Sequence, residues 1–138
     1  MNGMVGGQWL DVASQDVDLR TLHALKTGRL IGASIECVLL LDGRDVNRWA
    51  PFTAELGVLF QIVDDILDVT GTDDALGKPQ GSDERQGKRT YVSEFGLTEA
   101  RTMAQRSHAT ARDALAAAAP GGAPELEQIT DFIFTRTS

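Results

Sequence analysis

The chain has 138 residues, 42% of them hydrophobic, with a net charge of −7 and a single cysteine. That length fits one domain with a moderate core, and one cysteine cannot close an internal disulfide, so a reduced, cytoplasmic setting is the simplest expectation. The acidity argues against non-specific nucleic-acid binding, apolar stretches such as Val38 to Leu41 are far too short to span a bilayer, and the opening Met-Asn-Gly-Met-Val-Gly-Gly lacks the basic region and apolar core of a signal peptide.

No alternating strand pattern or repeat interrupts the chain, which reads as helix throughout. Residues 17–41 form a first long helix, with Asp16 or Asp18 as N-cap and Gly43 just past its end. On that helix Lys26 shares a face with Leu19, Leu22, Leu30, Ala33 and Cys37, within about 40° on either side. An ammonium on an apolar face is costly to bury unless paired, so Lys26 either snorkels to solvent or meets partners. Residues 45–69 form the second helix, ended by Gly71, with Pro51 either kinking it or marking its true first turn. Residues 70–87 are rich in glycine and read as a functional loop. A short helix covers Thr90 to Phe95. Thr98 caps a third long helix that Pro120-Gly121-Gly122 stops, and Glu125 to Thr135 forms the last. His23 and His108 are isolated from any metal-ligand spacing and read as ordinary helix residues. There is no G-x-S-x-G, Walker loop or Cys-x-x-Cys.

The second helix holds the most informative feature, Gly-Val-Leu-Phe-Gln-Ile-Val-Asp-Asp-Ile-Leu-Asp-Val-Thr-Gly at 57–71. Gly57, Gln61, Asp64, Asp65 and Asp68 fall within an arc of about 100°, while Leu56, Leu59, Phe60, Ile62, Val63, Ile66, Leu67 and Val69 cover the rest. A helix apolar around most of its circumference is buried, so the polar stripe is expected to face an internal cavity. Crowded carboxylates raise one another's pKa unless a cation lies between them. Hard oxygen ligands that leave coordination sites open suit Mg²⁺, which usually bridges protein to a phosphate-bearing substrate.

Downstream runs Ala75-Leu76-Gly77-Lys78-Pro79-Gln80-Gly81-Ser82-Asp83-Glu84-Arg85-Gln86-Gly87-Lys88-Arg89-Thr90-Tyr91. Together with Phe60 to Asp68, this resembles the second aspartate-rich region of the trans-prenyltransferases, the polyprenyl diphosphate synthases. Upstream, Gly3-Met4-Val5-Gly6-Gly7-Gln8 and Lys26-Thr27-Gly28-Arg29-Leu30-Ile31 are similar to two further motifs of that family, in its order and spacing. The resemblance implies an all-α fold: the second, C-terminal half of an isoprenoid-synthase-type antiparallel helical bundle, with residues 1–138 as a single helical unit.

The resemblance also implies roles. Asp64 would be the direct Mg²⁺ ligand, with Asp65 and Asp68 acting through bound waters or as supporting acceptors. Lys26 and Lys88 would grip an allylic diphosphate, and Lys78 would add charge from the loop. The chain has three lysines against ten arginines, and all three stand where the family places diphosphate-binding lysines. Thr27 and Gln61 would stabilise the carbocation, and Phe60 would pack near the isopentenyl chain. Gln8 and Asp11 read as structural or supporting residues, and Tyr91 as a packing or loop anchor. Val92 stands where the family often has proline.

The family's first aspartate-rich motif has no counterpart here, since the other Asp-Asp pair, Asp73-Asp74, lacks a helical partner aspartate. The expected function is therefore that of one subunit of a heteromeric prenyltransferase, inactive alone, whose partner chain supplies the first motif. Two other readings fit the same residues: a non-catalytic diphosphate- and Mg²⁺-binding regulatory module, or a truncated synthase without activity.

Overall fold

In the computed structural model, residues 3–13, 17–71 and 88–136 are described, and every regular element among them is helical. They are α1 (Met4–Val12), α2 (Leu19–His23), a π-helical turn (Ala24–Gly28), α3 (Arg29–Leu41), a 3₁₀ turn (Val46–Arg48), α4 (Ala50–Thr70), α5 (Tyr91–Phe95), α6 (Leu97–Ala118) and α7 (Pro124–Thr135). The all-α expectation is met. The glycine-rich loop and its Lys78 lie outside the described residues.

The core is built on α4, which buries Phe52, Leu56, Leu59, Ile62, Val63 and Ile66. Pro51 stands in its first turn, where a missing N–H costs nothing, and does not kink it. Each large side chain fully withdrawn from water here contributes about 1.5–3 kcal/mol. Along α4 lies α6, whose buried residues Ala100, Ala104, Ser107, Ala111, Leu115 and Ala118 recur at helical spacing. Most of these side chains are small, and Leu115 is the one large residue among them. α7 closes the bundle over α6 and α4 with Thr130 and Ile133.

Several helix ends follow the sequence signals. Asp18 is the N-cap of α2 and accepts from Thr21 N at 2.9 Å. Thr90 caps α5 in a reciprocal capping box with Ser93. At the end of α3, Arg44 N bonds to Leu39 O (2.8 Å) and Gly43 N to Leu40 O (3.2 Å), with Gly43 at φ 68°, the Schellman arrangement that glycine favours. Thr98 is not a cap, because α6 begins one residue earlier, with Gly96 as its N-cap.

Two features depart from the sequence reading. Helix α1 occupies residues to which no individual element was assigned from sequence; three glycines in Gly3 to Gly7 lower helix propensity, and packing overrides that, because Gly6 and Gly7 are buried where α1 meets the π turn. The second departure is the π turn itself, which adds a residue to one turn of a helix otherwise continuous from Leu19 to Leu41. Beyond it the 3.6-residue register is rotated by about 100°. Leu30 (61% exposed), Ala33 and Cys37 consequently face outward, while Gly32 and Leu39 are buried. The apolar face assigned to Lys26 thus holds for Leu19 and Leu22 and fails for the residues after the turn.

The π turn is clasped by two glycines. A Cβ on Gly7 would lie 2.4 Å from Lys26 N, and one on Gly57 would lie 2.8 Å from Gly28 Cα. Gly57→Ala would gain about 1 kcal/mol of helix propensity, yet the backbone it meets cannot swing aside. We expect a net loss of about 1–3 kcal/mol in urea unfolding, against less than about 0.5 kcal/mol for Gly121→Ala, which meets open space. Equal stabilities for the two variants would disprove the close packing.

Candidate functional site

A cleft of about 180 Å³ lies between the π turn, α4, the end of α1 and residues 88–90. Lys26 and Thr27 enter from the π turn, Phe60, Gln61, Asp64 and Asp65 from α4, and Lys88, Arg89 and Thr90 from the segment before α5. The residues expected to act together therefore converge, with two exceptions: Lys78 lies outside the described residues, and Asp68 does not line the cleft.

Hydrogen bonds fix the orientation of most of these groups. The Lys26 ammonium donates to Asp11 Oδ2 at 2.7 Å, both side chains being about one-fifth exposed (23% and 18%). Asp11 is thus the residue that satisfies a part-buried cation. Thr27 Oγ1 donates to Gln61 Oε1 (3.1 Å), Gln61 Nε2 donates to Asp65 Oδ1 (2.8 Å), and Tyr91 N donates to Asp65 Oδ2 (2.7 Å). Because an ionised carboxylate can only accept, Asp65 sets the Gln61 amide with its oxygen toward Thr27.

Helical spacing put the three aspartates within one arc of α4, and the structure gives them different surroundings. Asp64 is half-buried on the cleft wall. Asp65, 2% exposed, turns one oxygen to Gln61 and the other to the N-terminus of α5. Asp68 is buried at 1% exposure, one turn further along and away from the cleft lining. Among the described residues no three acidic, histidine or cysteine side chains gather as a metal cage. One free-standing carboxylate still fits Mg²⁺, which keeps several waters and commonly takes only one or two protein carboxylates.

Three neighbours were not singled out for the site by sequence. His23 is 4% exposed, lines the cleft and stands 5.4 Å from the Tyr91 ring, so it is a core residue bordering the site. Arg89 lines the cleft too, while bonding Glu94 and Val17 O. Arg136, just past α7, holds its guanidinium 4.6 Å over the Phe60 ring. Burial pulls its pKa down and Asp64 pulls it back up, so the cation lies within the field of that carboxylate. Its Nε and Nη2 are buried without a partner among the described residues. An arginine at the end of the last helix carries no motif signal, and only the packing of α7 brings it here. His108 plays no part: it bonds Asp131 at 2.7 Å and stacks on Phe134, joining α6 to α7.

An all-helical bundle that gathers lysine and arginine cations beside an aspartate has the donor set of a site for a metal-chelated polyanion. The chain belongs to the polyprenyl synthetase family, whose description matches residues 1–120. It is 39% identical to a dimethylallyltranstransferase of Fischerella ambigua (strain UTEX 1903), covering 98% of this chain and 41% of that protein. It is 36% identical to a geranylgeranyl diphosphate synthase of Cyanophora paradoxa, covering 99% of this chain and 48% of that one. Among solved structures it is similar to a geranyltransferase from Helicobacter pylori complexed with magnesium and isoprenyl diphosphate, with a TM-score of 0.76, 30% identity, and coverage of 98% of this chain and 46% of that chain. The chain thus spans about half the length of the curated relatives it matches. No helix among the described residues is long and apolar enough to cross a membrane.

Tyr91, the only tyrosine, reports on the anchor of this hydrogen-bond chain. Burial pushes its phenol up to about 12 from an ordinary 10, with Arg20 opposing and Asp65, Glu55 and Asp18 adding. The raised value means that stability is whole below pH 10 and falls as pH climbs toward 12, because the unfolded chain sheds the proton first. Absorbance titration of tyrosinate should show a midpoint near 12 in the folded protein, falling to about 10 in urea. A folded midpoint near 10 would mean that the ring is solvated.

Proposed function

We propose that this chain provides the second-aspartate half of a trans-prenyltransferase that condenses isopentenyl diphosphate with an allylic diphosphate. The observation that carries the reading is the convergence of Lys26, Lys88, Arg89 and Asp64 in one cleft beside the Thr27–Gln61 pair. Support comes from the similar Helicobacter pylori geranyltransferase, whose structure holds magnesium and an isoprenyl diphosphate.

Asp64 is the carboxylate placed to hold Mg²⁺, and an ion bound there supplies positive charge against the leaving diphosphate. Lys26 and Lys88 bind the diphosphate oxygens through charge-assisted hydrogen bonds, while Arg89, held by Glu94 and Val17 O, contributes its positive field; for Lys78, outside the described residues, the same role rests on the motif resemblance alone. Asp11 keeps the Lys26 ammonium aimed rather than free to rotate. Gln61 and Thr27 present fixed oxygen dipoles, which stabilise a developing carbocation yet are poor nucleophiles when held by Asp65 and by each other. Phe60 lends its ring to the apolar substrate. The departing diphosphate can accept the final proton, so no side chain is assigned as base. Asp65 and Asp68 act as buried supports of the α4 stripe.

The partner assignment is supported by a second, apolar groove of about 630 Å³ between α3, α4 and α7, lined by Ile31, Ile35, Val38, Leu56, Phe60 and Ile133. Val38, Ile129 and Phe132 stand 48–66% exposed along or near it. A contiguous apolar surface of this kind calls for a cover, and about half the relatives' length is available to provide one. We assign that cover, together with the first aspartate-rich motif, to a partner polypeptide.

Co-expression with a first-half prenyltransferase chain should give Mg²⁺-dependent prenyl transfer in the mixture and none from the 138-residue chain alone. In the active mixture Asp64→Ala should cut turnover on the order of 10²–10³-fold, while Asp113→Ala, exposed on α6, should leave it unchanged. Full activity of the chain by itself would refute the half-site reading, and equal effects of the two substitutions would refute the Mg²⁺ assignment.

A further inference from the structure

Residues 88–90 run into α5 without helical structure of their own, so the direction in which Lys88 leaves the backbone depends on what its neighbours hold. Arg89 is held at three points. Its Nε donates to Glu94 Oε1 at 2.7 Å, Nη2 lies 2.6 Å from the same oxygen, and Nη1 donates to Val17 O at 2.8 Å. One planar guanidinium therefore ties together the stretch entering α2, the segment carrying Lys88 and the first turn of α5. With Arg89 47% and Glu94 26% exposed, such a pair adds little to overall stability. Its consequence is geometric.

Two further contacts complete the frame. Thr90 and Ser93 cap α5 reciprocally, and Tyr91 N donates to Asp65 on α4 at 2.7 Å. Across the cleft, Lys26 is aimed by Asp11. Val17 lies two residues before α2, which runs directly into the π turn that carries Lys26. The bond to Val17 O thus refers the Lys88 segment to the helix that carries the other ammonium. The carboxylate that holds Arg89 lies outside the site. Glu94 lines a separate cleft of about 580 Å³ between α2, α4, α5 and α6, and not the cleft with Asp64, whereas Arg89 lines both.

We infer that Arg89 is a positioning residue for Lys88: together with Glu94 and Val17 O it fixes the segment from which the Lys88 ammonium reaches the diphosphate, and this outweighs its own positive field. The inference rests on the proposed diphosphate reading of the cleft. Position and field predict different outcomes. If field alone mattered, removing the Glu94 charge would strengthen anion binding, and Arg89→Lys, which keeps the charge but loses the fork, would change nothing. If position matters, both changes weaken binding.

Calorimetric titration of the 138-residue chain with inorganic pyrophosphate and Mg²⁺ separates the two. We expect Glu94→Gln and Arg89→Lys each to weaken binding on the order of tenfold. Glu99→Gln, the same charge change in the exposed first turn of α6, should stay within about twofold. In a Lys88→Met background, Glu94→Gln should add less than about twofold, because its effect passes through the lost ammonium. Tighter or unchanged binding by Glu94→Gln, unchanged binding by Arg89→Lys, or full additivity with Lys88→Met would overturn the inference and leave the diphosphate reading intact. No binding by the unaltered chain would instead strike that reading, and the inference with it.

Discussion

Gly7 and Gly57 draw α1 and α4 onto the π turn until backbone meets backbone, with a hypothetical Cβ only 2.4 Å from Lys26 N on one side and 2.8 Å from Gly28 Cα on the other. This contact sets the distances on which the site depends. With any side chain at either glycine, the π turn would be pushed off α4, Thr27 would lose its 3.1 Å bond to Gln61, and Lys26 would leave Asp11. A π turn is an expensive way to run a helix and recurs at functional sites. Here the extra residue lets consecutive positions, Lys26 and Thr27, both reach one cleft, with the first bonded to α1 and the second to α4.

The polar groups of α4 divide by environment although they are chemically alike. Asp64 and Asp65 are adjacent and about 100° apart around the axis, enough to send one to the cleft wall and the other into the joint between α4 and α5. Asp65 accepts from Gln61 Nε2 and from Tyr91 N, so it orients Gln61 and holds the start of α5 in place. Asp64 lies instead in the field of Arg136 and keeps its acceptor capacity for the cleft.

Much of the site was legible because helical periodicity is reliable along an uninterrupted helix. Gln61, Asp64 and Asp65 stand on α4 where the spacing predicted, and Lys26, Thr27, Phe60 and Lys88 join them as the motif resemblance implied. Where the period breaks, the reading breaks too: past Gly28 the π turn rotates the register, so Leu30 and Cys37 are on the surface rather than inside. Helix α1 was assigned no element from sequence, and its Gly7, a poor helix former, serves as a contact point against the π turn. Asp68 shares the arc of Asp64 on a helical wheel but lies one turn further along, and a wheel discards distance along the axis. Arg136 arrives through the tertiary packing of α7, which no local pattern encodes.

Under the proposed reading, the charge of the whole chain and the charge of the site oppose each other. A net −7 repels a diphosphate at long range, and the cations of the cleft are partly offset by Asp11, Asp64 and Asp65 within it. Screening confines each of these fields to about 8 Å at physiological ionic strength, so Lys26, Lys88 and Arg89 act on a ligand only once it is inside. The same acidity favours the approach of a divalent cation, and a diphosphate already chelated by Mg²⁺ meets far less repulsion than a bare one. The cleft is accordingly better matched to a metal-bound diphosphate than to free anions, with selectivity arising at short range from the aimed Lys26 ammonium and the single carboxylate of Asp64.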